Sequence, residues 1–176
     1  MATICYNLFL EFKINLLSLM KIVNVLYFRD MKITKNRSGC PLSTSLDIIG
    51  DKWSLVVVRD LFLGRDTFSK IMTENPEKIA SNILSDRLKK MKAKGILDFR
   101  ICPIDKKVKT YYLTDLGIDL YPTMYELMYW TLKHFEFELH PIAKSWLTEN
   151  KDNTDTEIIA NAMQSYKSHR KEVHGF

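Results

Sequence analysis

The chain has few cysteines and no closely spaced pair of them. Its 176 residues include only Cys5, Cys40 and Cys102, and no Cys-x-x-Cys motif occurs. An odd number of widely separated thiols does not make a disulfide scaffold. The sequence therefore predicts a protein of the reducing cytoplasm.

Glycine and proline are also scarce, with 6 and 5 residues respectively. This scarcity argues against long structureless linkers and favours a helix-dominated fold. Hydrophobic residues make up 46% of the chain and charged residues 27%, which is ordinary for a folded domain. A domain of this length buries a core without disulfides or metals.

The motifs of common catalytic sites are missing. The chain has no P-loop, Gly-x-Gly-x-x-Gly, His-Glu-x-x-His or Gly-x-Ser-x-Gly sequence. The histidines all lie toward the C-terminal end, away from any paired carboxylate or cysteine cluster: His134, His140, His169 and His174. Without a nucleophile and base to pair, we expect no catalysis, no cofactor and no metal site.

The first thirty residues are apolar but lack the features of a secretory signal, which would begin with positive charge and end at a small-residue cleavage site. Glu11, Lys13 and Lys21 interrupt them before the ~18 uncharged residues of a membrane span, so no membrane association is expected. Residues 1–30 either add an amphipathic helix that packs on a partner subunit or precede the natural start at Met31. The second is favoured because Met31 opens an ordinary polar N-terminus.

Basic charge is concentrated in one part of the chain. The formal net charge is +5 and the isoelectric point is about 9.0. Between Asp86 and Lys109, nine basic residues stand against three acidic ones. This local excess favours a polyanionic partner such as nucleic acid.

The spacing of apolar residues predicts four helices in the first part of the domain. Their expected starts are Pro41, Asp51, Asp66 or Thr67, and Ser81. The residues placed to end them are Gly50, Gly64, Pro76 and Gly95. Along the last of these helices, Leu84, Leu88 and Met91 fall on one face, which predicts that this face is buried.

The apolar period then changes to two, which predicts a β-hairpin. Apolar and polar residues alternate over residues 97–101 and again over 109–113, with a polar turn between them. Thr114 would cap a long helix after the hairpin, with a kink at Pro122. This order is that of a winged helix-turn-helix: a mainly α fold with a small β-hairpin, to which N- and C-terminal dimerisation helices are added.

Several short motifs occur in a fixed order along this region. They are Cys40-Pro41, Gly50-x-Lys52-Trp53, Leu61-x-x-Gly64, Phe68-x-x-Ile71, the segment ILSDRLKKMKAKGIL at 83–97, and YYLTDLGIDLYP followed by Trp130. Together they resemble HxlR-type regulators, which are relatives of MarR-like proteins. The resemblance implies a cytoplasmic bacterial homodimer that binds operator DNA and represses or activates nearby genes, often in response to a small-molecule effector or thiol-reactive compound.

Two positions depart from the pattern of this family. Thr67 stands where the family usually has arginine, and Asp105-Lys106-Lys107 replaces a Val-Pro-Pro-like turn in the hairpin. The geometry of the wing is therefore expected to differ, although its basic character is kept. Residues 31–135 are predicted to form the winged helix domain, and residues 136–176 a C-terminal helical extension and tail.

The helix that begins near Ser81 is the predicted recognition helix. Short polar side chains near its start, Ser81, Asn82 and Ser85, would reach base edges in the major groove. Asn82 is the best candidate for a base contact because an amide pairs with adenine through two hydrogen bonds, whereas Ser81 could instead only cap the helix. Asp86 would face cytosine or pair with a neighbouring lysine. The predicted phosphate contacts are Arg87, Lys89, Lys90, Lys106, Lys107 and Lys109.

Cys40 has two interpretations. It directly precedes a helix that begins with Pro41, where amide dipoles favour a thiolate, and some HxlR-type proteins use a cysteine here to sense oxidants or electrophiles. Alternatively, Cys40 is a small buried side chain in the dimer interface. Cys102, near the wing, is expected to be incidental.

A homodimer is expected because one helix-turn-helix buries too little DNA surface for strong specificity. Two copies would read half-sites about one helical turn (~34 Å) apart. The predicted dimer interface is an apolar stripe formed by Leu116, Leu120, Met124, Leu127 and Trp130. The alternative is a winged helix that contacts only proteins, but such a module usually lacks a polar recognition-helix start and a basic wing.

Overall fold

The computed structural model describes residues 37–175, which are mainly helical. The elements, in order, are α1 (Pro41–Ile49), α2 (Ser54–Phe62), α3 (Phe68–Glu74), α4 (Ser81–Ala93), β1 (Leu97–Ile101), β2 (Lys109–Leu113), α5 (Asp115–Ile118), α6 (Tyr121–His134), α7 (Pro141–Glu149) and α8 (Asp155–His174). Residues 37–44 belong to one unit and residues 45–175 to another. The two expectations for residues 1–30 lie outside the described residues. The predicted fold class, mainly α with one hairpin, is confirmed.

Asp51 organises the start of α2. Its Oδ1 accepts hydrogen bonds from the backbone N–H groups of Trp53 (2.9 Å) and Ser54 (3.1 Å), which satisfies donors that have no partner within the helix. The buried apolar side chains of α2 are Val57, Val58 and Leu61. Gly64, with a φ of 77°, turns the chain after the helix because glycine adopts this left-handed conformation without strain.

A buried carboxylate joins α2 to the turn that follows it and to the end of α3. Asp60 is 0% exposed, and its Oδ1 accepts hydrogen bonds from Arg65 (2.7 Å) and Arg59 (2.8 Å). Its Oδ2 accepts a hydrogen bond from the side-chain amide of Asn75 (2.6 Å). Arg59 also pairs with Glu77 at 2.6 Å. This network connects α2 to the segment between α3 and α4, which contains Asn75 and Glu77.

The caps of α3 and α4 differ. Of the two predicted caps of α3, Asp66 and Thr67, the structure shows Thr67, whose Oγ1 accepts the N–H of Lys70 (3.2 Å). At α4 the N-cap position belongs to Ala80, whose extended backbone precedes the helix, so Ser81 is the first helical residue and not its cap. The buried side chains of α4 are Leu84, Leu88 and Met91, as the period predicts.

The wing consists of β1, β2 and the turn between them. The strands pair antiparallel, with Leu97 opposite Leu113 at the base and Ile101 opposite Lys109 near the turn. The strand bounds agree with the predicted alternation over residues 97–101 and 109–113.

The long helix predicted after the hairpin is two helices in the structure. Thr114 caps α5 as predicted, with its Oγ1 accepting the N–H of Gly117 (3.3 Å). However, α5 is only four residues long, and Pro122 lies in the first turn of α6. Proline has no N–H for the carbonyl four residues earlier, and it is favoured where a helix begins. The prediction of one kinked helix is therefore wrong.

Two helices follow α6. The first, α7, lies at Pro141–Glu149 within the predicted C-terminal extension, and the Nδ1 of His140 before it accepts the N–H of Ile142 (3.3 Å). The tail forms α8, which starts with a reciprocal capping box between Thr154 and Glu157. Tyr166 of α8 is 8% exposed and belongs to the same core cluster as the buried residues of α2, α3 and α4. The division at residue 135 stays a prediction.

The Asp60 network makes a prediction about stability. Asp60→Ala is expected to lower the free energy of unfolding by about 3–5 kcal/mol, because it leaves buried Arg65 without its buried partner. Urea unfolding followed by circular dichroism measures this loss. The matched control is Glu77→Ala, which removes the exposed carboxylate of the same network and should cost about 1 kcal/mol or less. Equal losses for the two variants would show that the buried pair has no special role.

Candidate nucleic-acid interface

The start of α4 presents three short polar side chains to solvent. Ser81, Asn82 and Ser85 are exposed, while Leu84 and Leu88 on the other face are buried. Residues three and four apart lie side by side on a helix, so the three polar residues form one surface. The structure thus brings together the residues predicted to contact bases.

Ion pairs occupy part of the basic face of α4. Arg87 contacts Asp51 through Nη1 (2.7 Å) and Asp86 through Nη2 (2.8 Å), and Lys90 contacts Asp86 (2.9 Å). The hydrogen bond from Lys90, reinforced by Arg87, holds the pKa of Asp86 below its ordinary value. Of the two roles considered for Asp86, the structure shows pairing with lysine. Phosphate contacts by Arg87 and Lys90 stay predictions and would require these two side chains to exchange partners.

The wing presents its lysines at an exposed turn. The backbone N–H of Cys102 donates to the carbonyl of Val108 (2.9 Å), which closes the hairpin beyond the ends of the strands. Within the turn, Asp105 accepts the backbone N–H of Lys107 (2.9 Å). Lys106 and Lys107 are both exposed. The polar residues of this turn thus organise its backbone and leave the lysine side chains exposed.

Phe99 on β1 brings the wing next to α4. The ammonium groups of Lys92, on α4, and Lys109, on β2, lie 4.8 and 4.3 Å from the centroid of its ring. Lys92 also pairs with Asp98, and this hydrogen bond lowers the pKa of the carboxyl group. Cations of the helix and of the wing therefore meet over one aromatic ring. The contacts of Phe99 were not predicted from the sequence, because the alternation of apolar and polar residues indicates only that Phe99 lies on one face of a strand.

Three of the other predicted phosphate contacts, unlike Arg87 and Lys90, form no ion pair within the described residues. Within residues 37–175, the exposed ammonium groups of Lys89, Lys106 and Lys107 have no ion-pair partner. Such groups neutralise a phosphate without first breaking an ion pair. They are therefore the better placed members of the predicted set.

The residues predicted for the dimer interface do not all face outward. Leu120 and Met124 pack against the core of their own chain. Leu116, Leu127 and Trp130 are exposed, the last two at 49% and 56%. Because Leu127 and Trp130 are three residues apart on α6, they form one apolar surface.

Two further aromatic side chains are exposed just after α6. Phe135, whose ring centroid lies 5.3 Å from that of Trp130, continues the apolar surface, and Phe137 follows two residues later. The prediction did not include them. The signal was present in the sequence, where aromatic and acidic residues alternate over residues 135–138.

Cys40 has an exposed thiol directly before α1. Its carbonyl accepts hydrogen bonds from the N–H and the hydroxyl of Thr44 (both 3.1 Å), and its own N–H donates to the hydroxyl of Ser38 (3.3 Å). Cys102 is half-buried in the wing. The structure therefore leaves the Cys40 thiol open to reagents at the start of a helix.

Two kinds of feature are absent from the described part of the chain. Between residues 37 and 175, no helix combines the length and the apolar character that crossing a bilayer requires. No group of three or more His, Cys, Asp or Glu side chains in that range is arranged to hold a metal ion.

Known proteins resemble this chain over its central part. The model of the HxlR-like helix-turn-helix family matches residues 48–138, a range that ends before α7 and α8. The chain is similar to the uncharacterized HTH-type transcriptional regulator YdeP of Bacillus subtilis, with 31% identity over 97 residues that cover 54% of this chain and 74% of YdeP. A second regulator of that organism, YvaP, is 30% identical over 92 residues, which cover 52% of this chain and 84% of YvaP. Among solved structures, PA1607 is similar with a TM-score of 0.53 and 31% identity, over 59% of this chain and 72% of PA1607.

Proposed function

The chain belongs to the HxlR-like helix-turn-helix family and is a transcriptional regulator of the helix-turn-helix type, and we propose that it regulates transcription as a homodimer that binds specific sequences of duplex DNA. In this proposal α4 enters the major groove and the wing lies along the phosphate backbone. The observation that carries it is the exposed polar start of α4 on a helix whose opposite face is fixed in the core. Binding, not catalysis, is the activity, and the bacterial cytoplasm is where it takes place.

The two parts of the interface have different tasks. Asn82 carries both a donor and an acceptor and is exposed in the first turn of α4, which suits a bidentate contact to adenine. Lys106 and Lys107 carry charge alone, which suits phosphates that are the same at every sequence. Asn82 therefore provides specificity, and the wing lysines provide affinity that salt weakens.

Two substitutions separate these tasks. Asn82→Ala is expected to reduce the discrimination between a duplex selected from a random library and random DNA, by about 1–3 kcal/mol for a lost bidentate contact. Lys107→Ala should weaken binding to both DNAs alike and reduce the slope of log affinity against log salt by about 1. Fluorescence anisotropy at several salt concentrations measures both effects.

Matched controls lie far along the chain from this surface. Asn161→Ala on α8 and Lys151→Ala between α7 and α8 remove an exposed amide and an exposed ammonium group. Both controls should bind DNA as the unmodified protein does. Unchanged binding by Asn82→Ala and Lys107→Ala as well would refute this assignment of the interface.

The proposed dimer uses the apolar surface of α6. Leu127, Trp130 and Phe135 expose large apolar side chains that one subunit alone leaves in water. Removal of such apolar area from water favours association. A second copy of the chain also supplies the second recognition helix that a palindromic operator requires.

Substitution at this surface tests the dimer. Trp130→Glu is expected to convert a dimer into a monomer, because it places a charge where apolar surface must be buried. Light scattering coupled to size-exclusion chromatography measures the mass. Ile104→Glu, at a wing-tip residue that is 97% exposed, is the control and should remain dimeric. A Trp130→Glu protein that keeps the dimer mass would place the interface elsewhere.

A second function, thiol sensing by Cys40, is favoured by the exposure of this thiol before α1. In this proposal an oxidant or electrophile reacts with the thiolate, and the modified protein binds its operator with altered affinity. Treatment with diamide or a quinone should change operator affinity in the unmodified protein and not in Cys40→Ser. If both proteins respond to the same extent, Cys40 is not the sensor; Cys102→Ser serves as the control thiol.

A further inference from the structure

The base of the wing is held from its outer side by α8. The backbone N–H of Leu113, the last residue of β2, donates to the hydroxyl of Tyr166 (2.9 Å). The carbonyl of the same residue accepts a hydrogen bond from Nη1 of Arg170 (2.9 Å). Both backbone groups of one strand residue are thus bound by two side chains that are one turn apart on α8.

This contact completes the cover of a strand edge. In a two-stranded sheet the outer edge of each strand lacks a partner. On β2, the N–H of Tyr111 donates to the carbonyl of Asp66 before α3 (2.6 Å). Two residues further along β2, the N–H of Leu113 donates to Tyr166 of α8. Because a two-stranded sheet is only marginally stable by itself, the elements along this edge determine where the hairpin lies.

The helix that holds β2 is itself fixed. The ring of Tyr166 packs 4.7 Å from that of Phe62 on α2, and Arg170 also pairs with Asp115 at 2.6 Å. One turn further, His174 is 7% exposed and stacks 4.6 Å from Tyr112. The C-terminal half of α8 therefore connects the core of the helix-turn-helix to two consecutive residues of β2.

We propose that Tyr166 and Arg170 are positioning residues for DNA binding: by holding Leu113 they set the position of the wing, so that docking of α8 determines how strongly the wing lysines contact DNA. This inference rests on the proposed function. Since α8 lies beyond the residues matched by the family model, 48–138, the chain's own C-terminal segment exerts this control. Release of α8 weakens the wing contacts and leaves base reading by α4 in place.

The test is a double-mutant cycle between α8 and the wing. In the Tyr166→Phe/Arg170→Met background, Lys107→Ala should no longer reduce the salt slope by the value of about 1 expected in the unmodified protein. Asn82→Ala should still reduce discrimination between selected and random DNA in both backgrounds. The control double variant, Gln164→Ala/Ser168→Ala, replaces an exposed hydrogen-bonded pair of α8 and should leave the effect of Lys107→Ala intact.

Amide hydrogen exchange at Leu113 measures, without DNA, whether α8 holds this residue of β2. Tyr166→Phe keeps the buried ring and removes the hydroxyl acceptor, so exchange of this N–H should become faster while the melting temperature falls little. If the double variant does not fold, the same cycle is run with Tyr166→Phe alone.

The outcomes distinguish this inference from the proposed function. An equal effect of Lys107→Ala in both backgrounds, or unchanged exchange at Leu113, overturns the role of α8 while DNA binding stands. If the unmodified protein binds no DNA, the proposed function fails, and the positioning role fails with it even where exchange at Leu113 behaves as expected.

Discussion

The buried carboxylate of Asp60 is the interaction on which the helix-turn-helix depends. A charge removed from water is tolerated only when surrounding groups replace the lost hydration. Here Arg59, Arg65 and Asn75 do so, and they come from α2, from the turn after it and from the end of α3. The chain enters α4 six residues after Asn75, so the position of this helix follows from how Asp60 is satisfied.

Around this fixed centre, the proposed DNA-facing surface has a rigid part and a part whose charge is neutralised. The buried side chains of α4 hold its polar start at a defined orientation, while Asp51 and Asp86 offset the charge of Arg87 and Lys90. In the proposed function, attraction to the phosphates then comes mainly from lysines of this surface without such partners, at the wing tip and at Lys89. The wing contacts α4 through Phe99 of β1, whose ring lies beneath Lys92 and Lys109, and it contacts α8 through Leu113 of β2.

Local signals allowed much of the fold to be predicted from the sequence. Strand alternation located both strands of the wing, and the 3.6-residue period of Leu84, Leu88 and Met91 identified the buried face of α4. The break between α5 and α6 was not predicted, because the apolar period continues across the two helices.

Long-range contacts left no comparable signal. In the sequence, nothing distinguishes Asp60 from an ordinary polar residue of an amphipathic helix. The side chains that bind the backbone of Leu113 lie 53 and 57 residues further along the chain. Helix position was enough to select the residues of the predicted recognition surface, but their ion pairs depend on packing that brings Asp51 to Arg87.

The most direct measurement is hydrogen–deuterium exchange of the protein with and without a duplex enriched from a random-sequence library. The account predicts slower exchange in peptides that cover the start of α4 and the turn of the wing when the duplex is bound. Protection restricted to α6 and α7, or no protection at α4 with the duplex demonstrably bound, would contradict it.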